Sequence, residues 1–97
     1  MDPLHEKIPG ERWKPVADMY NAYEVSSMGR VRHIPTQTLV SPFKNTAGYF
    51  MVQLFGPFPS AVHALVLKAF VGPKPPGKEC RHLDGVPTHN HLTNLAW

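Results

Sequence analysis

Apolar and polar residues alternate over two short stretches in the first third of the chain. Tyr23-Glu24-Val25 and Arg30-Val31-Arg32-His33-Ile34 each read as a strand, with Val31 and Ile34 turned inward and Arg30 and Arg32 outward. Between them, Ser26-Ser27-Met28-Gly29 has turn chemistry, and Gly29 can take a positive φ. Leu39-Val40 predicts a further short strand between Pro35 and Pro42. After a turn at Asn45-Thr46-Ala47-Gly48 comes the clearest strand signal, Tyr49 to Phe55, rich in aromatic and branched residues. Gly56 to Ser60 forms a loop, and Ala61-Val62-His63 is expected to pair back. The period then changes. Val62, Leu65, Val66, Ala69 and Phe70 recur at helical spacing, and Gly72-Pro73 stops the helix. Leu67 lies off that stripe, so the helix should be covered on two sides. The proline-rich run Val71 to Lys78 is a stiff basic connector that delivers Cys80-Arg81-His82 to a fixed place. Asp84-Gly85 turns the chain, a polar loop follows, and Leu95-Ala96-Trp97 is apolar again. The pattern predicts an α+β fold of small antiparallel strands and hairpins around one central helix.

Composition narrows this picture. Ninety-seven residues make one domain, and eleven Pro and seven Gly predict short elements with much loop. No apolar run has the length of a membrane span, and the first residues lack the apolar core of a signal peptide, so a membrane partner is not expected and a cytoplasmic protein is. A single Cys80 excludes an intrachain disulfide and argues against a cysteine-rich zinc cluster. Residues 1–10, with Pro3 and Pro9, read as an N-terminal arm. Trp13 reads as a core anchor, with stacking on a nucleic-acid base as the alternative. The net charge of +3 is uneven: −2 over residues 1–24 and +5 over residues 25–97. A basic body suits phosphate contact, through Arg30, Arg32, Lys44, Lys74, Lys78 and Arg81; a solvated basic surface is the alternative.

The last eighteen residues carry the most specific pattern. His82-Leu83-Asp84-Gly85, then Asn90, then Asn94-Leu95-Ala96-Trp97 resembles the first two thirds of the ββα-metal site of HNH homing endonucleases. Upstream, Trp13-Lys14-Pro15, Tyr23-Glu24-Val25-Ser26 and Gly29-Arg30-Val31-Arg32 resemble the NUMOD-type DNA-binding module that precedes HNH domains in that family. The resemblance implies a NUMOD-like module over residues 11–60, followed by a helix and a shortened HNH motif over residues 61–97, packed as one unit. It implies that His82 is the general base that activates water against a DNA phosphate, and that Asn94 braces the loop and orients His82. Asp84 and Asn90 would hold the loop, Asp84 through its own backbone and Asn90 through loop backbone groups. Arg30, Arg32 and the Ser26-Ser27 turn would touch phosphates. His63, in a run that looks like the family segment before the turn, is expected to be structural.

Two departures from the pattern bear on activity. Arg81 stands just before His82, where the family has a metal ligand, and the sequence in hand ends where a metal-bearing helix is expected. Metal-assisted phosphodiester cleavage needs a cation to stabilise the leaving oxygen. The expectation is therefore DNA binding, with Mg²⁺ or another divalent metal required for any cleavage, no metal ligand assigned and none held by this chain alone. Three function classes follow: an active nicking enzyme completed by a partner, a DNA-binding remnant, and a phage or mobile-element protein that inhibits a host nucleic-acid-targeting complex, in the manner of an anti-CRISPR. The setting implied is a bacterial or phage-infected cell. His82, His89 and His91 as a zinc triad is the weaker reading of those histidines.

Overall fold

One helix, α1 (Val62–Phe70), sits at the centre of the chain's packing. Val62, Leu65, Val66 and Leu67 are all buried, so the helix is covered beyond its main stripe, as the position of Leu67 implied. Each fully buried Val or Leu side chain contributes about 1.5–3 kcal/mol of transfer free energy. The helix ends where the Val71 and Gly72 N–H groups both reach back to the Leu67 carbonyl, at 2.8 and 3.0 Å. Gly72 does so at φ +135°, and Pro73 then blocks any continuation.

In this computed structural model, residues 8–17, 19 and 21–97 are described. Asp18, Tyr20 and residues 1–7, which include most of the expected N-terminal arm, lie outside the described residues. Three antiparallel sheets surround the helix. The first runs in the order β1 (Trp13–Pro15), β2 (Tyr23–Ser26), β3 (Val31–His33), β4 (Thr38–Leu39). The second is β5 (Phe43–Lys44), β6 (Phe50–Val52), β7 (Ser60–Ala61). The third pairs β8 (Arg81–His82) with β9 (Leu95–Ala96), setting His82 opposite Leu95. Val25 faces Val31 across β2 and β3, and both are buried with Val16, Val52, Leu54, Val62, Leu65, Val66, Leu67 and Leu95 in one core.

Several elements differ from the sequence expectation. The strand read over Tyr49–Phe55 is only Phe50–Val52, because its neighbours β5 and β7 are two residues long and leave nothing further to pair with. Ala61-Val62-His63 pairs only as far as Ala61; from Val62 the burial of Val62, Leu65 and Val66 favours the helix. Ile34 does not share the inward face of Val31, since β3 stops at His33 and Ile34 opens a turn that accepts the Gln37 N–H at 3.3 Å. Trp13 is absent from the core. Its ring lies on the outer face of the first sheet, 3.9 Å from the Arg32 guanidinium and 5.6 Å from that of Arg30. Strands β1 and β5 had no alternating signal to predict them; each is held by its neighbour's register, Trp13 opposite Ser26 and Phe43 opposite Met51.

The loop between β8 and β9 is pinned at both ends. Gly85 (φ +76°) returns its N–H to the His82 carbonyl at 2.9 Å. Asp84 accepts the Val86 N–H at 2.8 Å, the Asn94 amide at 2.9 Å and the His89 Nδ1–H at 2.7 Å. Asn94 in turn accepts the Asp84 N–H at 3.0 Å and donates to the His89 carbonyl at 2.8 Å. The hydrogen bond from His89, with those from Val86 and Asn94, holds the Asp84 carboxyl well below the usual carboxylate range. At its far side the loop rests on the β2–β3 turn, where Leu92 donates to the Ser27 carbonyl at 2.7 Å. A Cβ on Gly29 would stand 2.8 Å from the Asn90 carbonyl oxygen.

Two outcomes follow from this packing. Gly29→Ala, which meets both a positive φ and immovable backbone, should destabilise the protein by roughly 1–2 kcal/mol more than Gly77→Ala, which meets open space, in denaturant unfolding. The depressed Asp84 pKa adds stability that is complete above its unfolded value near 4 and is lost as pH falls through the folded one. Unfolding midpoints measured from neutral pH down to pH 3 should therefore drop more steeply for the wild type than for Asp84→Asn, with the two curves converging on the acid side.

Candidate functional site

His82 lies at the end of β8, half-buried, with its side chain beside three partners from separate parts of the chain. Its Nε2 is 2.8 Å from Asn90 Oδ1. An amide oxygen accepts, so the neutral ring carries its proton on Nε2 and keeps the Nδ1 lone pair, which no group among the described residues engages. Asn90 is 6% exposed and held by the loop, so this bond is fixed from a rigid side. The role expected of Asn94 is thereby divided: Asn94 braces the loop through Asp84 and His89, while Asn90 orients the imidazole. The geometric reason is the loop's fold-back, which brings residue 90 rather than residue 94 over the ring.

Two rings complete the surroundings. The His63 ring meets that of His82 edge to face, with centroids 5.2 Å apart and planes at 72°. Tyr49 lies 5.8 Å from His82 and 5.2 Å from His63. Burial lowers the pKa of His63, and the neighbouring His82 lowers it further, so His63 is neutral at physiological pH. Tyr49 and His63 also line an open cleft of about 610 Å³ between α1 and the second sheet, with Lys68, Lys74 and Trp97 on its walls. Trp97 closes one end by donating its indole N–H to the Gly72 carbonyl at 3.0 Å.

The residues present do not fit a hard divalent cation. Mg²⁺ takes oxygen donors. Arg81, immediately before His82, is an exposed cation, and the groups around the imidazole are two rings and an amide oxygen already engaged by an N–H. Among the described residues, no three His, Cys, Asp or Glu side chains converge as a metal cluster, and the His82, His89, His91 triad does not form. His89 instead donates to Asp84, and its ring meets that of His91 at 6.0 Å.

The basic residues expected to meet phosphates fall into two groups. Arg30 and Arg32 lie on the first sheet and are paired, Arg30 with the buried carboxylate of Glu11 and Arg32 with Glu24. Burial raises the Glu11 carboxyl, but hydrogen bonds from Arg30 and Ser26 and the charges of Arg30 and Arg32 together outweigh it, leaving the pKa below its ordinary value. Lys44, Lys74, Lys78 and Arg81 are exposed. Lys74 has only Glu79 near, at 3.8 Å, a pair too solvated to hold it. Ser26 and Ser27 cannot serve as phosphate contacts in this arrangement. Both are buried, with Ser26 Oγ accepting the Met28 and Arg30 N–H groups and Ser27 Oγ accepting that of Arg12. His63 was expected to be structural, and its ring lies against that of His82; Tyr49 and Lys68, which line the same cleft, were not singled out, because nothing in their spacing linked them to His82.

The comparisons with known proteins agree with this arrangement. The family model of the NUMOD4 motif matches residues 11–55, and that of the HNH endonuclease matches residues 60–97. No curated protein matches the chain. A solved structure, the HNH homing endonuclease I-HmuI in a study of its DNA binding and cleavage, superposes with a TM-score of 0.77 at 29% identity, covering 87% of this chain. The present chain spans about half the length of that one, 50%. With both motifs in order on the matching fold, the chain is an HNH homing endonuclease-like protein that carries a NUMOD4 motif ahead of its HNH segment.

Proposed function

We propose that this chain binds DNA and presents His82 to a backbone phosphate as a general base, and that its own residues supply the base half of a hydrolytic site without the metal half. The observation that carries the reading is the Asn90 Oδ1 bond to His82 Nε2, which leaves Nδ1 as the open, basic nitrogen. A neutral imidazole in that state can take a proton from water near physiological pH. What it cannot do is stabilise the departing oxygen, and Arg81 offers charge there but no ligand atom. Lys74 and Lys78 in the basic connector, Lys44 on β5, and Arg81 are exposed cations, and on this reading they meet phosphates. The Arg30–Trp13–Arg32 stack forms a rigid charged face on the NUMOD4 part; its pairing with Glu11 and Glu24 makes it a weaker phosphate contact than the exposed lysines. The reading as an inhibitor of a host nucleic-acid-targeting complex has no particular residue or surface in its favour.

Binding to duplex DNA should weaken as salt rises, with a log–log slope of about −0.9 for each phosphate neutralised. Lys74→Ala and Lys78→Ala should each lower that slope by about 1, and His82→Ala should leave affinity unchanged, in fluorescence-anisotropy titrations. The purified chain should leave supercoiled plasmid intact with Mg²⁺ present. Nicking by the wild type that disappears in His82→Ala would show that the metal half is present after all.

A further inference from the structure

We propose that His63 is a positioning residue for His82, holding its imidazole, together with Tyr49, in the orientation that Asn90 can bond. The proposal rests on the reading of His82 as the open base.

A single hydrogen bond fixes one atom of a ring and leaves rotation about the side-chain torsions. The backbone at His82 is held by its pairing with Leu95 and by the Gly85 N–H, but those bonds do not set the side-chain torsions. The missing restraint comes from other elements. His63 stands in the first turn of α1, whose next residues Leu65, Val66 and Leu67 are buried, and Tyr49 immediately precedes β6. The three rings form a closed triangle, with centroid separations of 5.2, 5.2 and 5.8 Å, so each ring limits the other two. Edge-to-face contact at 72° between His63 and His82 is a preferred aromatic geometry, not an accidental one.

The residue type also fits this role. His63 Nδ1 is buried with no hydrogen-bond partner among the described residues, so the ring is not held there by a structural bond of its own at that atom. Burial keeps it neutral, and a neutral ring can stay beside His82 when His82 takes a proton, whereas a second cation could not. Among the described residues, the groups in contact with the His82 ring are the His63 and Tyr49 rings and the Asn90 amide.

The test uses the full chain labelled with ¹⁵N and reads the two ring nitrogens of His82, identified by their loss in His82→Ala. In the wild type, at a pH high enough for the His82 ring to be neutral, one ring nitrogen should carry the proton fully and the other not. In His63→Ala, with amide signals elsewhere unchanged, the two nitrogens should move toward a common averaged position. His63→Phe, which restores a ring, should recover the single tautomer. A folded His63→Ala protein that keeps the single-tautomer pattern would overturn the proposal. Should His63→Ala not fold, His63→Gln replaces it, and the same retained pattern there is equally decisive. DNA affinity and nicking are read separately. Loss of the tautomer with no nicking by the wild type supports positioning and speaks only to the metal half. Retention of the tautomer with intact DNA binding removes the positioning role alone.

Discussion

The close seating of the β8–β9 loop on the β2–β3 turn is the contact on which the site depends. Gly29 has no room for a side chain because the Asn90 backbone occupies that space, and Leu92 bonds the Ser27 carbonyl from the same loop. This seating fixes Asn90, and Asn90 fixes His82. A residue of the NUMOD4 part thus sets the position of a side chain in the HNH part. The two family motifs occupy separate stretches of sequence, yet the physics of the site treats them as one body.

The seating is possible because Ser26 and Ser27 turn their hydroxyls inward. Buried hydroxyls must find partners, and here they accept backbone N–H groups of Arg12, Met28 and Arg30 that the tight turn would otherwise leave without them. The turn is consequently stiff and smooth enough for a second loop to lie on it. The same economy applies on the outer face, where Glu11 and Glu24 neutralise the two arginines and Trp13 separates them. Charge that would suit a phosphate is spent in part on ordering the first sheet, and the free cations are left near the connector and β8.

Metal-assisted hydrolysis combines two tasks, and the proposed reading of His82 concerns the first of them. Orientation of a base requires directional bonds and close rings, and the chain supplies both from buried elements. Compensation of negative charge at the leaving oxygen requires a cation with open coordination, which needs oxygen donors. Among the described residues, the surroundings of His82 are aromatic and amide in character.

Much of this was legible in the sequence. The helix over Val62–Phe70, its burial at Leu67 and the β2–β3 hairpin follow from periodicity and turn chemistry, which act between near neighbours, and the strand–loop–strand that carries His82 follows from the resemblance to the HNH motif. Asp84-Gly85 marked the turn because the Asp84 bond to the Val86 N–H is local, and Asn94 was marked by the resemblance to the HNH motif. The residues around the imidazole were not legible in the same way. Tyr49, His63 and Asn90 lie 33, 19 and 8 positions from His82, and only the three-dimensional path of the chain brings them together. Trp13 likewise looked like a core residue by size and was placed outside by two guanidinium groups that only the strand register set against it. Local chemistry chose the elements and the base; the order in which sheets and loop packed on one helix decided what faces that base.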